Sequence, residues 1–155
     1  MGEIGKAYFS ERFLQFISEV DDWQGAIRLA AQPLLEEKII ENSYIDAMIQ
    51  NVLDMGDYII LVPKVAMPHA RPEAGALGNG MSILKLEKPV RFNQGEEVFL
   101  ILCLATKDNS HHLRLLQKVS AIIDEEEKVE KLLHLRNKTA FLTLANQYIQ
   151  EEEEE

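Results

Sequence analysis

Two histidines, one arginine and a run of glycines are the residues here whose types and spacing could do chemistry. His69 stands in Met67-Pro68-His69-Ala70-Arg71-Pro72, inside a loop-like stretch covering residues 62–80. Pro68 fixes its own φ and pushes Met67 toward an extended conformation, and Pro72 does the same to Arg71. The imidazole is thus held between two stiffened points, with a cation two residues on. Gly75, Gly78 and Gly80 follow, and glycine lets a backbone approach a ligand closely. A neutral imidazole nitrogen beside a cation and exposed amides could attack phosphorus. The same residues fit equally a proline-rich loop with a surface histidine.

His112 is the second histidine of interest, in the first turn of an expected helix after an apolar run and a short polar loop. Such a place offers unpaired N–H groups and a positive dipole end, which suit an oxyanion and disfavour protonation of the ring. The competing reading has His112 packing against Leu116. His111 points about a hundred degrees away around the helix and reads as solvated, and His134 reads as structural near a helix end. No zinc spacing emerges from His69, His111 and His112, and the P-loop, nucleophile-elbow, His-Glu-x-x-His and dinucleotide patterns are absent.

The elements that must position these residues follow from periodicity. Ser10 caps an expected helix carrying Phe13, Phe16, Ile17 and Val20. Asp21 or Asp22 caps another with Trp23, Ala26, Ile27, Ala30 and Leu34, kinked or broken at Pro33. Asn42 or Ser43 starts a third, ended by Gly56. Residues 58–62 read as a buried strand closed by Pro63, and 64–67 as a short strand delivering His69. Met81, Ile83, Leu84 and Leu86 resume a strand, Lys88-Pro89 and residues 93–97 are turn-like, and residues 98–105 form an uncharged strand. Cys103 within it reads as a packed hydrophobe rather than a nucleophile. Asn109 or Ser110 then caps the helix bearing His112, residues 124–127 open the next, and Asn137 or Thr139 begins the last. The pattern implies one domain with helices on both faces of one sheet, ending in a solvated acidic tail at residues 151–155.

Composition narrows the function. The 155 residues are 46% hydrophobic and 27% charged, with a net charge of −10, half of it from residues 151–155. That balance argues against nucleic acid or an anionic membrane as main partner. A single cysteine excludes an internal disulfide and fits a reducing cytosol. The N-terminus lacks a signal-peptide pattern, and the apolar runs are too short to span a bilayer as helices.

Pro68-His69-Ala70-Arg71-Pro72-Glu73-Ala74-Gly75-Ala76, after Tyr58-Ile59-Ile60-Leu61-Val62-Pro63, resembles the active-site segment of EIIA components of the bacterial sugar phosphotransferase system. The class is the mannitol–fructose type (type 2), and the extended motif is most similar to its ascorbate-type branch. His112-Leu113-Arg114-Leu115-Leu116 resembles the family's second signature. The resemblance implies a three-layer α/β/α sandwich with one mixed β-sheet, spanning residues 1–150. It implies that His69 accepts a phosphoryl group from the phosphocarrier HPr and passes it to a cysteine of EIIB, serving the membrane component EIIC. A tele-phosphohistidine is the form expected, although the residues themselves do not fix which nitrogen reacts. His112 would stabilise the phosphorylated state, and Arg71 would stand in for an arginine that mannitol-type relatives carry in the preceding helix. No metal or cofactor is required. A regulatory EIIA-like protein, its phosphorylation read by a transcription factor or transporter, and an anion-binding module are the alternatives. For partner docking, Met67, Ala70 and Ala76 are candidates for an apolar rim around His69.

Overall fold

The computed structural model describes residues 9–153. Its strands are β1 (Leu14–Ile17), β2 (Ile60–Val62), β3 (Lys64–Ala66), β4 (Gly80–Arg91) and β5 (Glu97–Ala105). They form one sheet in the order β1-β4-β5-β3-β2. The β1–β4 and β3–β5 pairs are parallel and the β4–β5 and β2–β3 pairs antiparallel, so the sheet is mixed. Its helices are α1 (Trp23–Glu36), α2 (Asn42–Met55), α3 (Asn109–Ile123), α4 (Glu126–His134) and α5 (Lys138–Glu153).

Strand alternation builds the two cores. Along β5, Ile101, Cys103 and Ala105 face α1 and α2, whereas Leu100, Leu102 and Leu104 face α3, α4 and α5. A strand buried on both faces must be apolar at every position, and β5 is apolar from Val98 to Ala105. The result is the three-layer sandwich expected from the sequence, with Cys103 packed 3.6 Å from the Met48 sulfur. Burial pushes its thiol up to about 12, so it stays protonated.

Several local expectations are corrected. Residues 14–17 are not helical: Leu14–Ile17 is an edge strand in parallel register with Ile83–Leu86. The spacing of Phe13, Phe16 and Ile17 fits a helix, but a free sheet edge beside β4 overrides so short a stripe. Pro33 does not break α1, which continues to Glu36. The proline removes the donor that would bond the Leu29 carbonyl, and the Gln15 side chain supplies one instead at 2.7 Å. Lys88-Pro89 lies inside β4, where the β4–β5 register shifts between Lys85 and Val90. That irregular stretch asks no ladder N–H of Pro89. The acidic run also continues α5 through Glu153 rather than leaving it, as a residue of good helix propensity at a helix end can.

Side chains cap α1, α3 and α5. Asp22 accepts from the Gly25 N–H at 2.7 Å, and Asn137 from that of Ala140 at 3.0 Å. The cap of α3 is Asp108, one residue before Asn109, and its carboxylate accepts from the His111 N–H at 2.8 Å. Gly56 ends α2 with φ of 80°, a conformation that favours glycine.

Candidate functional site

β3 and β5 run side by side, and at the same end of the sheet they deliver His69 and the loop leading to α3. The loop carrying His69 is stitched to its surroundings. The Leu104 N–H donates to the Pro68 carbonyl at 3.0 Å, and the Asn51 amide donates to the His69 carbonyl at 3.4 Å. Tyr44, a fully buried residue of α2, accepts from the Ala70 N–H at 3.0 Å and donates to the Leu104 carbonyl at 2.8 Å. One hydroxyl thus ties the loop to the sheet.

The His69 ring is oriented from within its own loop. Nδ1 lies 2.9 Å from the Met67 carbonyl, which can only accept. The neutral ring therefore carries its proton on Nδ1, and the Nε2 lone pair is left for chemistry. His112 faces it with ring centroids 6.1 Å apart and planes inclined at 54°. Tyr58 meets His69 edge-on at 5.9 Å. Thr106 Oγ1 lies 3.4 Å from His112 Nδ1. Burial, and then the nearby His69, lower the His112 pKa, so the ring is neutral at pH 7 and keeps one N–H to offer. The neutral state matches expectation, but burial rather than the helix dipole leads it.

These side chains open onto a cleft of about 630 Å³. One wall is the α2 stripe Ala47, Asn51 and Met55; the other holds Thr106, Asp108, Asn109 and His112. Arg71 stands at the mouth, exposed, and its guanidinium has no hydrogen-bond or ion-pair partner among the described residues. His69, His112 and Arg71 are thus brought together. His111 and His134 lie elsewhere: His111 is exposed and pairs with Asp108 at 2.9 Å, and His134 Nδ1 donates to the Glu130 carbonyl at 2.7 Å.

The glycines do not join the site. The amides of Gly75 and Ala76 bond to Pro72, and those of Leu77 and Gly78 bond to Ile39. Gly75 has φ of 140°, and a Cβ there would lie 2.7 Å from Ser43 Oγ, so its role is a tight turn against α2. The expected rim also changes. Met67 is buried and Ala76 bridges Ile40, while Ala70 lines the cleft half-buried; the exposed apolar residues lining the cleft are Met55 and Tyr58, and Leu113, next to His112 in α3, is exposed as well. Tyr44, Asn51, Tyr58 and Thr106 are site residues that the sequence did not single out. Their only signal is that Asn51 interrupts the apolar pattern of α2 two turns after Tyr44.

What this arrangement suits is group transfer: an unprotonated nitrogen held in place, a neutral donor opposite, and a cation at the mouth. Residues 7–148 match the family described as phosphoenolpyruvate-dependent sugar phosphotransferase system, EIIA 2, and the chain belongs to that family of phosphotransferase components. It is 41% identical over 127 residues to the mannitol-specific cryptic phosphotransferase enzyme IIA component of Escherichia coli (strain K12), covering 81% of this chain and 86% of the relative. To the ascorbate-specific PTS system EIIA component of the same organism it is 29% identical, covering 82% and 84%. The solution structure of the Escherichia coli mannitol-specific cryptic enzyme IIA superposes with a TM-score of 0.84 at 37% identity, covering 90% and 96%. No helix among the described residues is long and apolar enough to cross a membrane.

Proposed function

We propose that His69 is the phosphoacceptor, reacting through Nε2, and that the chain carries the phosphoryl group from HPr to a cysteine of EIIB in the cytoplasm. The observation behind this reading is the Nδ1–H bond to the Met67 carbonyl, which leaves Nε2 as the lone-pair nitrogen before any partner arrives. In the acceptance step the Nε2 lone pair forms the new P–N bond while the P–N bond of the donor phosphohistidine breaks, its electron pair returning to the donor ring. The positive charge that bond formation places on the His69 ring is held at Nδ1–H by the Met67 carbonyl. Transfer onward reverses the geometry: a thiolate sulfur of EIIB attacks phosphorus and His69 leaves as neutral imidazole. Such transfers need mainly alignment and stabilisation of the equatorial oxygens.

His112 would serve those oxygens with its remaining N–H, and Arg71 with an unengaged guanidinium. The exposed Met55 and Tyr58 of the cleft, with the exposed Leu113 of α3, would offer both partners apolar contact. The sugar is assigned to the ascorbate-type branch on the Pro68–Pro72 motif. Incubation with phosphoenolpyruvate, enzyme I and HPr should give one acid-labile phosphate per chain, on His69 by mass spectrometry. EIIB proteins of the ascorbate and mannitol types then serve as acceptors, and faster discharge to the ascorbate-type protein is expected. Phosphate found on His112 instead, or none incorporated, would overturn the assignment of His69.

A further inference from the structure

A second polar cavity lies at the opposite end of the sheet from His69. Lys85 is in the inner strand β4, paired with Phe16 of β1 on one side and Leu100 of β5 on the other. Its side chain points to the α4–α5 face and is only 5% exposed. An interior ammonium normally has a carboxylate beside it. Lys85 has none within ion-pair distance among the described residues; its recorded contact is the face of the Phe16 ring, 4.9 Å away. Glu87, a carboxylate whose charge acts on Lys85, is taken up by Ser18 at 2.9 Å and by Arg136 at 3.8 Å.

Lys85 walls two adjoining cavities, of about 290 and 220 Å³, and Glu87 and Arg136 wall both with it. Lys64 and Glu130, ion-paired at 2.5 Å, and the Phe99 ring complete the larger one. His134 adds a free Nε2, its Nδ1 being engaged with the Glu130 carbonyl. Cations and carboxylates therefore face one space. A bare anion would meet Glu87 and Glu130 as well as the cations. A ligand with an anionic group at one end and hydroxyl donors at the other would satisfy both sets. The volume lies at the low end for small-molecule sites.

We propose that this cavity is a binding site for a small phosphate monoester bearing hydroxyl groups, its phosphate on Lys85 and Arg136 and its hydroxyls on Glu87 and Glu130. The phosphate supplies the counter-charge that no described residue places within ion-pair distance of Lys85.

The test is an amide chemical-shift titration of the ¹⁵N-labelled full chain with sorbitol 6-phosphate, inorganic phosphate and sorbitol, with no phosphoryl transfer involved, so that failure here leaves the His69 reading untouched. Saturable shifts from sorbitol 6-phosphate are expected at residues 85–87, 99 and 134–136, weaker ones from inorganic phosphate, and none from sorbitol. Lys85→Met should weaken binding at least ~10-fold, the usual consequence of losing a charged hydrogen bond. Arg136→Ala, in an exposed linker, repeats the test should Lys85→Met not fold. Shifts confined to the His69 cleft, or unchanged binding by the variants, would overturn the site. Equal affinity for inorganic phosphate would overturn the hydroxyl-bearing ligand.

Discussion

Replacing Tyr44 with phenylalanine isolates one hydroxyl. The ring stays packed in the core, while the Ala70 N–H and the Leu104 carbonyl lose a shared partner. The residue is 1% exposed, so water cannot fill the gap at the ring. An unsatisfied buried group costs ~1–3 kcal/mol; with Ala70 only half-buried, the two together should cost roughly 2–3 kcal/mol. At a urea dependence of about 1–3 kcal/mol per molar, the unfolding midpoint should fall by roughly 1 M or more. The Leu104 N–H bond to Pro68 survives, so the slack is confined to residues 69–71. Misplacement on the order of 1 Å can cost ~10²-fold in rate, so phosphoryl acceptance by the folded variant should slow by roughly 10- to 100-fold. Rapid-quench measurement of transfer from phosphorylated HPr, beside urea denaturation of the same sample, gives both numbers. A lowered midpoint with unchanged transfer kinetics would refute the claim that Tyr44 positions the loop. No change in either would refute the hydrogen-bond account altogether.

The remaining predictions are shorter. His69→Ala should fold normally and take up no phosphate, and label retained at His112 would contradict the scheme. His112→Ala should still accept phosphate but discharge to EIIB ~10²–10³-fold more slowly, the usual effect of losing one preorganised donor. Normal discharge with lowered stability would make His112 a packing residue only. Because its pKa is lowered in the fold, the unfolded chain protonates this histidine first as pH falls below about 6.5, so stability is lost in that direction until the folded value is passed. His112→Gln should flatten the urea midpoint across that window, and an equally steep profile in the variant would place the proton elsewhere. Leu113→Asp should slow transfer from HPr with the circular dichroism spectrum intact, and an unaffected rate would move the docking surface away from α3.

The layers and the two histidines were legible because their signals are local. Residues 98–105 carry no charge, which only a doubly covered strand needs, and Pro68 and Pro72 mark His69 without tertiary information. What escaped the sequence depended on distant chain. Leu14–Ile17 is a strand only because β4 offers an edge, and Pro33 is tolerated only because Gln15 reaches Leu29. Tyr44 reads as one more apolar position of α2 until its hydroxyl is seen against Leu104, 60 positions away. The glycines misled in the other direction. Their freedom serves a turn against α2, and the amides that could have cradled phosphate are spent on Pro72 and Ile39.

Asp108 gives the cleft a second character. It caps α3, is exposed, and has its pKa lowered first by the His111 amide and then by the His111 ring. It therefore remains an anion under all ordinary conditions, on the wall opposite Asn51. The helix end that would have gripped a phosphate most firmly is already occupied by the chain's own charge. An intermediate that sat too comfortably on His69 would be a trap, and a relay stalls when one of its stations is a sink. If His69 carries the phosphoryl group as proposed, Asp108 in the same cleft would oppose that dianion, and the group would leave as readily as it arrives.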